Sequence, residues 1–322
     1  MRLPRPTVTP LQLRGLEVLF WLGFAACFFV FPDQLYLLTQ ILIAGLFAVA
    51  LDLALGYAGI LTLGHAVFFG LGAYAAGLLS KYGWGEPFSG LALAALLCGL
   101  LGYLTSVLVI RGAPLTQLMV TIAVVAVVGE IANQWTPVTG GSDGLQGMDM
   151  WPVLGLFRFD LWGRTGFVYA FAVVLACFLF VRLVLKSPFG LALRGIHDNR
   201  RRMAAIGSPV AERLRVAFCF SAGLAGVAGA LMAQTTQFVG LDSLSLDKSA
   251  EILIVLIVGG TGRLYGGLIG AIIYMIVHDI FADLSPAFWM FWLGIFLIAV
   301  VMIGRGGFLG LLSRLFRVEA ER

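Results

Sequence analysis

The sequence predicts an all-α fold, a polytopic membrane helical bundle of about ten spans with both termini cytoplasmic. Three observations predict it. The 322 residues are 60% hydrophobic and only 12% charged, about half the charged fraction of a soluble domain. The mean hydropathy is +0.99, so lipid rather than water must wet most of the surface. Third, the basic residues gather at alternate ends of the apolar runs, as the positive-inside bias requires.

The runs follow in order at roughly 16–32, 35–55, 60–80, 89–110, 115–136, 166–185, 214–236, 250–261, 264–282 and 286–304. A straight span needs about 20 apolar residues, so the run at 250–261 is too short to cross alone, and 56–64 has the composition of a re-entrant turn. Arg2, Arg5 and Arg14 precede the first run, but "FAACFFVFPDQ" offers no small-x-small cleavage site, so the run reads as a retained first span. The chain divides into an N-terminal cytoplasmic tail (1–15), a transmembrane domain (16–304) and a C-terminal cytoplasmic tail (305–322). Within the domain, the long connections are a cytoplasmic loop at 186–215 and an outer loop at 137–165, periplasmic if the membrane is a bacterial inner one.

Alternation from an inside N-terminus puts 17 of the 21 basic residues on inner ends, leaving Lys81, Arg158, Arg164 and Lys248 outside. A miscounted span would throw the two terminal clusters onto opposite sides. The net charge of +4 is therefore a matter of topology, and no nucleic-acid partner is implied. In the outer loop, Trp135, Trp151 and Trp162 are expected to anchor at the membrane interface.

The inner loop is the most basic stretch: "ALRGIHDNRRRMAAIG" (192–207) holds Arg194, Arg200, Arg201 and Arg202. "SPFG" stops the preceding span, since proline breaks a helix, and a short helix is expected to restart. Leu193, Ile196 and Met203 fall on one face at spacings of three and seven, with the arginines and His197 mostly elsewhere. Gly207 can close that helix, and Ser208-Pro209 can open the next as cap and first residue. Topology marking needs charge alone. An amphipathic helix between two breaks is built for docking.

Polar groups inside apolar runs are functional candidates in a membrane. They are Asp52, His65, Gln117, Glu130, Asn133, Gln134 and Gln234. Glu130, Asn133 and Gln134 share a face near the outer end of one span, which fits either a helix–helix hydrogen-bond cluster or a polar pathway lining. Asp52 lies near an inner end, and His65 is flanked by Gly64 and Gly70. Cys27, Cys98, Cys177 and Cys219 all sit in apolar runs without a CxxC pair, so neither a disulfide framework nor a metal site is expected. There is no HExxH or GxSxG, and "GGTGRLYGG" (259–267) lacks the Lys-Ser/Thr ending of a P-loop. No catalytic residues, no cofactor and no intrinsic ATP hydrolysis are expected. The glycines Gly56, Gly59, Gly64, Gly259, Gly260 and Gly262 instead mark two breaks at the inner face.

"LGYAGILTLGHAVFFGLGAYAAGLL" (55–79), "TGGSDGLQGM" (139–148), the segment 187–231, "SAEILIVLIVGGTGRLYGGLIGA" (249–271) and "SPAFWMFWLG" (285–294) stand in the order seen in LivM-type permeases. The chain resembles that family, the membrane subunits of branched-chain amino-acid ABC importers, from about residue 40 to 310. The resemblance implies a permease moving branched-chain or related apolar amino acids inward across the bacterial inner membrane by alternating access. It implies a sister permease subunit, two cytoplasmic ATPase subunits and a periplasmic substrate-binding protein, all in a lipid bilayer. It also implies that residues 190–207 seat on an ATPase subunit, with Arg194, His197, Asp198, Asn199, Arg200, Arg201, Arg202 and Gly207 as the coupling set. Pro114 and Gln117 replace an aromatic-rich run, and Arg263 and Tyr265 stand where many relatives have Ser and Trp. These departures bear on the substrate and keep urea, short amides and aromatic acids as alternatives. A membrane-embedded enzyme and an uncoupled channel are the rivals of other classes.

Overall fold

The computed structural model describes residues 10–153, 155, 157, 163–286 and 288–303. The C-terminal tail, residues 1–9 of the N-terminal tail, Arg158 and Trp162 lie outside them. Thirteen helices occupy the described residues: α1 (Pro10–Val30), α2 (Leu35–Asp52), α3 (His65–Lys81), α4 (Pro87–Val109), α5 (Pro114–Gln134), α6 (Thr136–Thr139), α7 (Arg164–Lys186), α8 (Pro188–Asp198), α9 (Arg200–Ala205), α10 (Val210–Thr236), α11 (Leu246–Gly259), α12 (Gly266–Leu284) and α13 (Trp289–Ile303). Pairing between extended segments among the described residues is limited to the isolated bridges Leu145–Val239 and Val153–Phe157.

Each apolar run of the sequence carries one helix. Six segments are long and apolar enough to cross a membrane: Pro32–Tyr57, Pro87–Val109, Pro114–Gln134, Arg164–Lys186, Val210–Thr236 and Gly266–Leu284. The chain is thus a multi-pass membrane protein. The other four runs carry shorter apolar helices: α3 with 17 residues, α11 with 14, α13 with 15, and the Glu17–Val30 part of α1. The first helix begins at Pro10, inside the segment read as a tail, because proline is well suited to a helix's first turn.

The core is built around α10, which packs most extensively against α4 and α3. Its small residues make this possible. A Cβ on Gly72 of α3 would collide with the backbone of Gly226 on α10, so the two helices touch main chain to main chain. Without water to drive association, such close packing is what holds membrane helices together. The outer surface is the opposite. On α4, Leu96, Leu100, Leu104 and Leu108 repeat every four residues and are all well exposed. A stripe of that kind suits lipid.

Contacts sort the chain into two ends. At one end Arg182 pairs with Glu17, Gly262 bonds Asp52, and Arg200 bonds Gly59. At the other, Leu145 bridges Val239, Ser80 donates to the Asp149 carbonyl, and the Gln234 amide donates to the Pro87 carbonyl.

Candidate functional site

The basic loop folds as two short helices rather than the single one that its periodicity predicts. Ser187 caps α8, its Oγ accepting from Gly190 N at 3.4 Å, with Pro188 at the first position. Asn199 then interrupts the run, because its Oδ1 accepts from Arg202 N at 3.0 Å and caps α9. A short polar side chain that can bond the backbone favours a cap over a helix interior. Gly207 adopts φ +84° after α9. Helix α10 starts at Val210, one residue later than a proline-first helix would, with Pro209 as the flanking residue.

Leu193 and Ile196 are buried and Met203 half-buried, which is the apolar face the spacing predicts. Met203 lies over Gly195, where a Cβ would come within 2.9 Å of its sulfur, so the two helices fold against one another. Arg194, His197, Asp198, Asn199, Arg201, Arg202 and Gly207 are exposed. Leu191 and Ile206 are exposed beside them at 71% and 76%. The result is a basic surface studded with apolar side chains.

The inward-facing side of this hairpin reaches the glycine breaks. The Arg200 guanidinium donates through Nη2 to the Gly59 carbonyl at 2.7 Å. The His197 ring lies against Gly59, where a Cβ would come within 3.1 Å of Nδ1. Arg194 sits over the Tyr57 ring, 5.6 Å from its centroid, within cation–π range.

Tyr57 ends a π turn, Leu53–Tyr57, that continues α2. A turn of this kind often marks a functional site inside a helix. At its start Asp52 is 2% exposed, and its Oδ1 accepts from Gly262 N at 2.7 Å. Gly262 has φ +72°, and a Cβ on Gly56 would strike both the Asp52 carboxylate and Gly262 N. Glycine at both positions is therefore required for this junction. The two breaks, 56–64 and 259–262, are joined in space by a carboxylate 210 positions away in sequence. Gly259 closes α11 against the Gly266 carbonyl, and Gly260 follows at φ +108°. Gly64 precedes α3 and packs on the Thr121 backbone.

The remaining polar candidates divide into two groups. His65 is 1% exposed; its Nε2 meets Ser221 Oγ at 2.6 Å, and Ser221 donates to the Ala50 carbonyl. That chain of bonds ties α3, α10 and α2. Gln234 donates to Pro87 and accepts from the Tyr169 hydroxyl, and Gln117 donates to the Gly112 carbonyl. By contrast Glu130, Asn133 and Gln134 are exposed on α5, with Gln134 Nε2 donating to Glu130 Oε1 at 2.8 Å. Their bonding stays within one helix, so the face they share is open to a neighbour.

Sequence reasoning missed Tyr57, Ser221 and the Asp52–Gly262 bond. The aromatic after Gly56 and the lone serine in an alanine–glycine helix were visible, but nothing in one sequence says what they touch.

Comparison with known proteins then places the chain. The family described as "Branched-chain amino acid transport system / permease component" matches residues 34–303. The high-affinity branched-chain amino acid transport system permease protein LivM of Salmonella typhimurium is 28% identical over 284 residues, covering 80% of this chain. LivM of Escherichia coli K12 is also 28% identical, covering 84% of it. The chain spans 66% and 68% of the length of these two relatives. A probable LivM of Methanocaldococcus jannaschii is 24% identical over 302 residues, covering 80% of this chain and 86% of the relative. No solved structure gives a significant match. With its glycine breaks and basic hairpin inside the matched residues, the chain belongs to the branched-chain amino acid transport permease family.

Proposed function

We propose that the chain is the membrane permease subunit of an ATP-binding-cassette importer that moves branched-chain or related apolar amino acids inward. It works in the bacterial inner membrane with ten spans and both termini in the cytoplasm. Its partners are a sister permease, two ATPase subunits and a periplasmic binding protein. The contacts that group the predicted inner ends with each other, and the outer ends with each other, support that topology.

One observation carries the mechanism: Arg200 and Arg194 hold the hairpin directly on Gly59 and Tyr57. The exposed arginines, with Leu191 and Ile206, form the surface that an ATPase subunit grips. A displacement of the hairpin is delivered to the π turn of α2, and through Asp52 to the break between α11 and α12. The ATPase thereby biases two packings of the bundle, one open to each side. The exposed polar face of α5 is the part of the pathway this chain contributes opposite its sister subunit.

Reconstitution with the partner subunits tests this. Labelled leucine should enter proteoliposomes only with ATP and the binding protein present. Uptake of labelled urea in place of leucine would reassign the substrate, and leucine entry without ATP would remove the coupling.

A further inference from the structure

A second feature lies at the opposite end from the hairpin. The start of α2, the end of α10, the loop 237–245 and α11 line an open cavity of about 400 Å³. That is within the range of small-molecule sites. Its lining combines both signs of charge with apolar walls: Asp242 and Lys248, Gln40, and the side chains of Tyr36, Met232 and Phe238.

Three details point to a ligand. Gln40 is an amide within the membrane helix α2, half-buried, with no hydrogen-bond partner among the described residues. The Asp242 carboxylate, exposed at the mouth, accepts no hydrogen bond and enters no ion pair among them, so it is free to meet a cation. Lys248 does pair with Glu251 at 2.8 Å, but an ammonium has three donors and that bond uses one. Below the cavity the lining continues past Gln40, Met232 and Lys248 into a recess of only about 30 Å³. Phe47 and Phe69, stacked with centroids 4.6 Å apart, line that recess. It has room for about one water molecule.

We propose that this cavity binds one free amino acid with an apolar side chain, Lys248 receiving its carboxylate, Asp242 its ammonium, and Met232 and Phe238 its side chain. Gln40 can donate to the first group or accept from the second. A charged side chain would meet Met232 and Phe238 unpaired, so the site discriminates against it. This inference rests on the proposed function and adds a location to it: the permease itself holds the substrate after delivery, within one subunit.

The test is binding of labelled L-leucine to the detergent-purified permease, beside uptake by the reconstituted complex. Leucinamide, which lacks the carboxylate, and 4-methylpentanoate, which lacks the ammonium, serve as competitors. Leucine should bind, neither half-analogue should compete at equal concentration, and Lys248→Gln and Asp242→Asn should each weaken binding at least tenfold. Asp242 is exposed, so its variant leaves the core packing intact; Met232→Trp, which fills the cavity, should abolish binding. Unchanged leucine binding in all three variants overturns the site alone. So does leucine uptake by a complex whose permease retains none. A wild-type complex that imports urea and not leucine overturns the proposed function, and this site with it.

Discussion

Asp52, Gly56 and Gly262 form the junction on which the mechanism turns, and each is sensitive to small changes. Removing the Asp52 carboxylate removes its bond to the Gly262 N–H, which costs about 0.5–1.5 kcal/mol because that N–H can turn to water. Asp52→Ala should lower the thermal unfolding midpoint in detergent and reduce uptake more than Asp52→Asn, whose amide oxygen still accepts. Ser221→Ala should destabilise by more, about 1–3 kcal/mol, because it leaves the buried His65 and Ala50 carbonyl without their shared hydroxyl. Thermal unfolding of the purified subunit checks both. At this scale the sequence was half legible. Asp52 and His65 stood out as polar residues within apolar runs. Their partners did not, because Gly262 and Ser221 are far along the chain and nothing in one sequence records which residues meet.

Helices and their breaks were read more fully. Every apolar run carries a helix, and Ser187-Pro188 and Gly207 punctuate the basic loop as their chemistry dictates. The interruption at Asn199 was not anticipated, because a side chain that caps locally defeats a periodicity spanning both helices. The hairpin's function belongs to this scale. Arg200→Ala removes the bond to Gly59 while leaving the exposed docking surface in place. Leucine uptake should fall at least tenfold while ATP hydrolysis by the assembled complex persists; equal loss of both would mean that Arg200 serves assembly instead. The crossing of α3 and α10 makes a second prediction. Gly229→Val drives a side chain into the Phe69 backbone of α3 and should strongly reduce the folded protein recovered from membranes. Gly23→Ala, with nothing within 4 Å, should not.

For the whole molecule, the all-helical, multi-pass character was legible because a bilayer imposes it on composition directly. The pathway was less so. Glu130, Asn133 and Gln134 are all exposed on α5 and bond only within it, so their spacing alone does not say what that face meets. The outer cavity was not legible at all, since Gln40, Asp242 and Lys248 come from three separate elements and gather only in the folded chain.

The central claim is that the arginine-bearing hairpin lies on the ATP side and touches the bundle from there. Arg201→Cys, in a chain whose four native cysteines are replaced, can be probed with a membrane-impermeant maleimide. The label should react in inverted membrane vesicles and be excluded in intact cells. Reaction in intact cells would place the hairpin outside, beyond the reach of any ATPase, and would contradict the account.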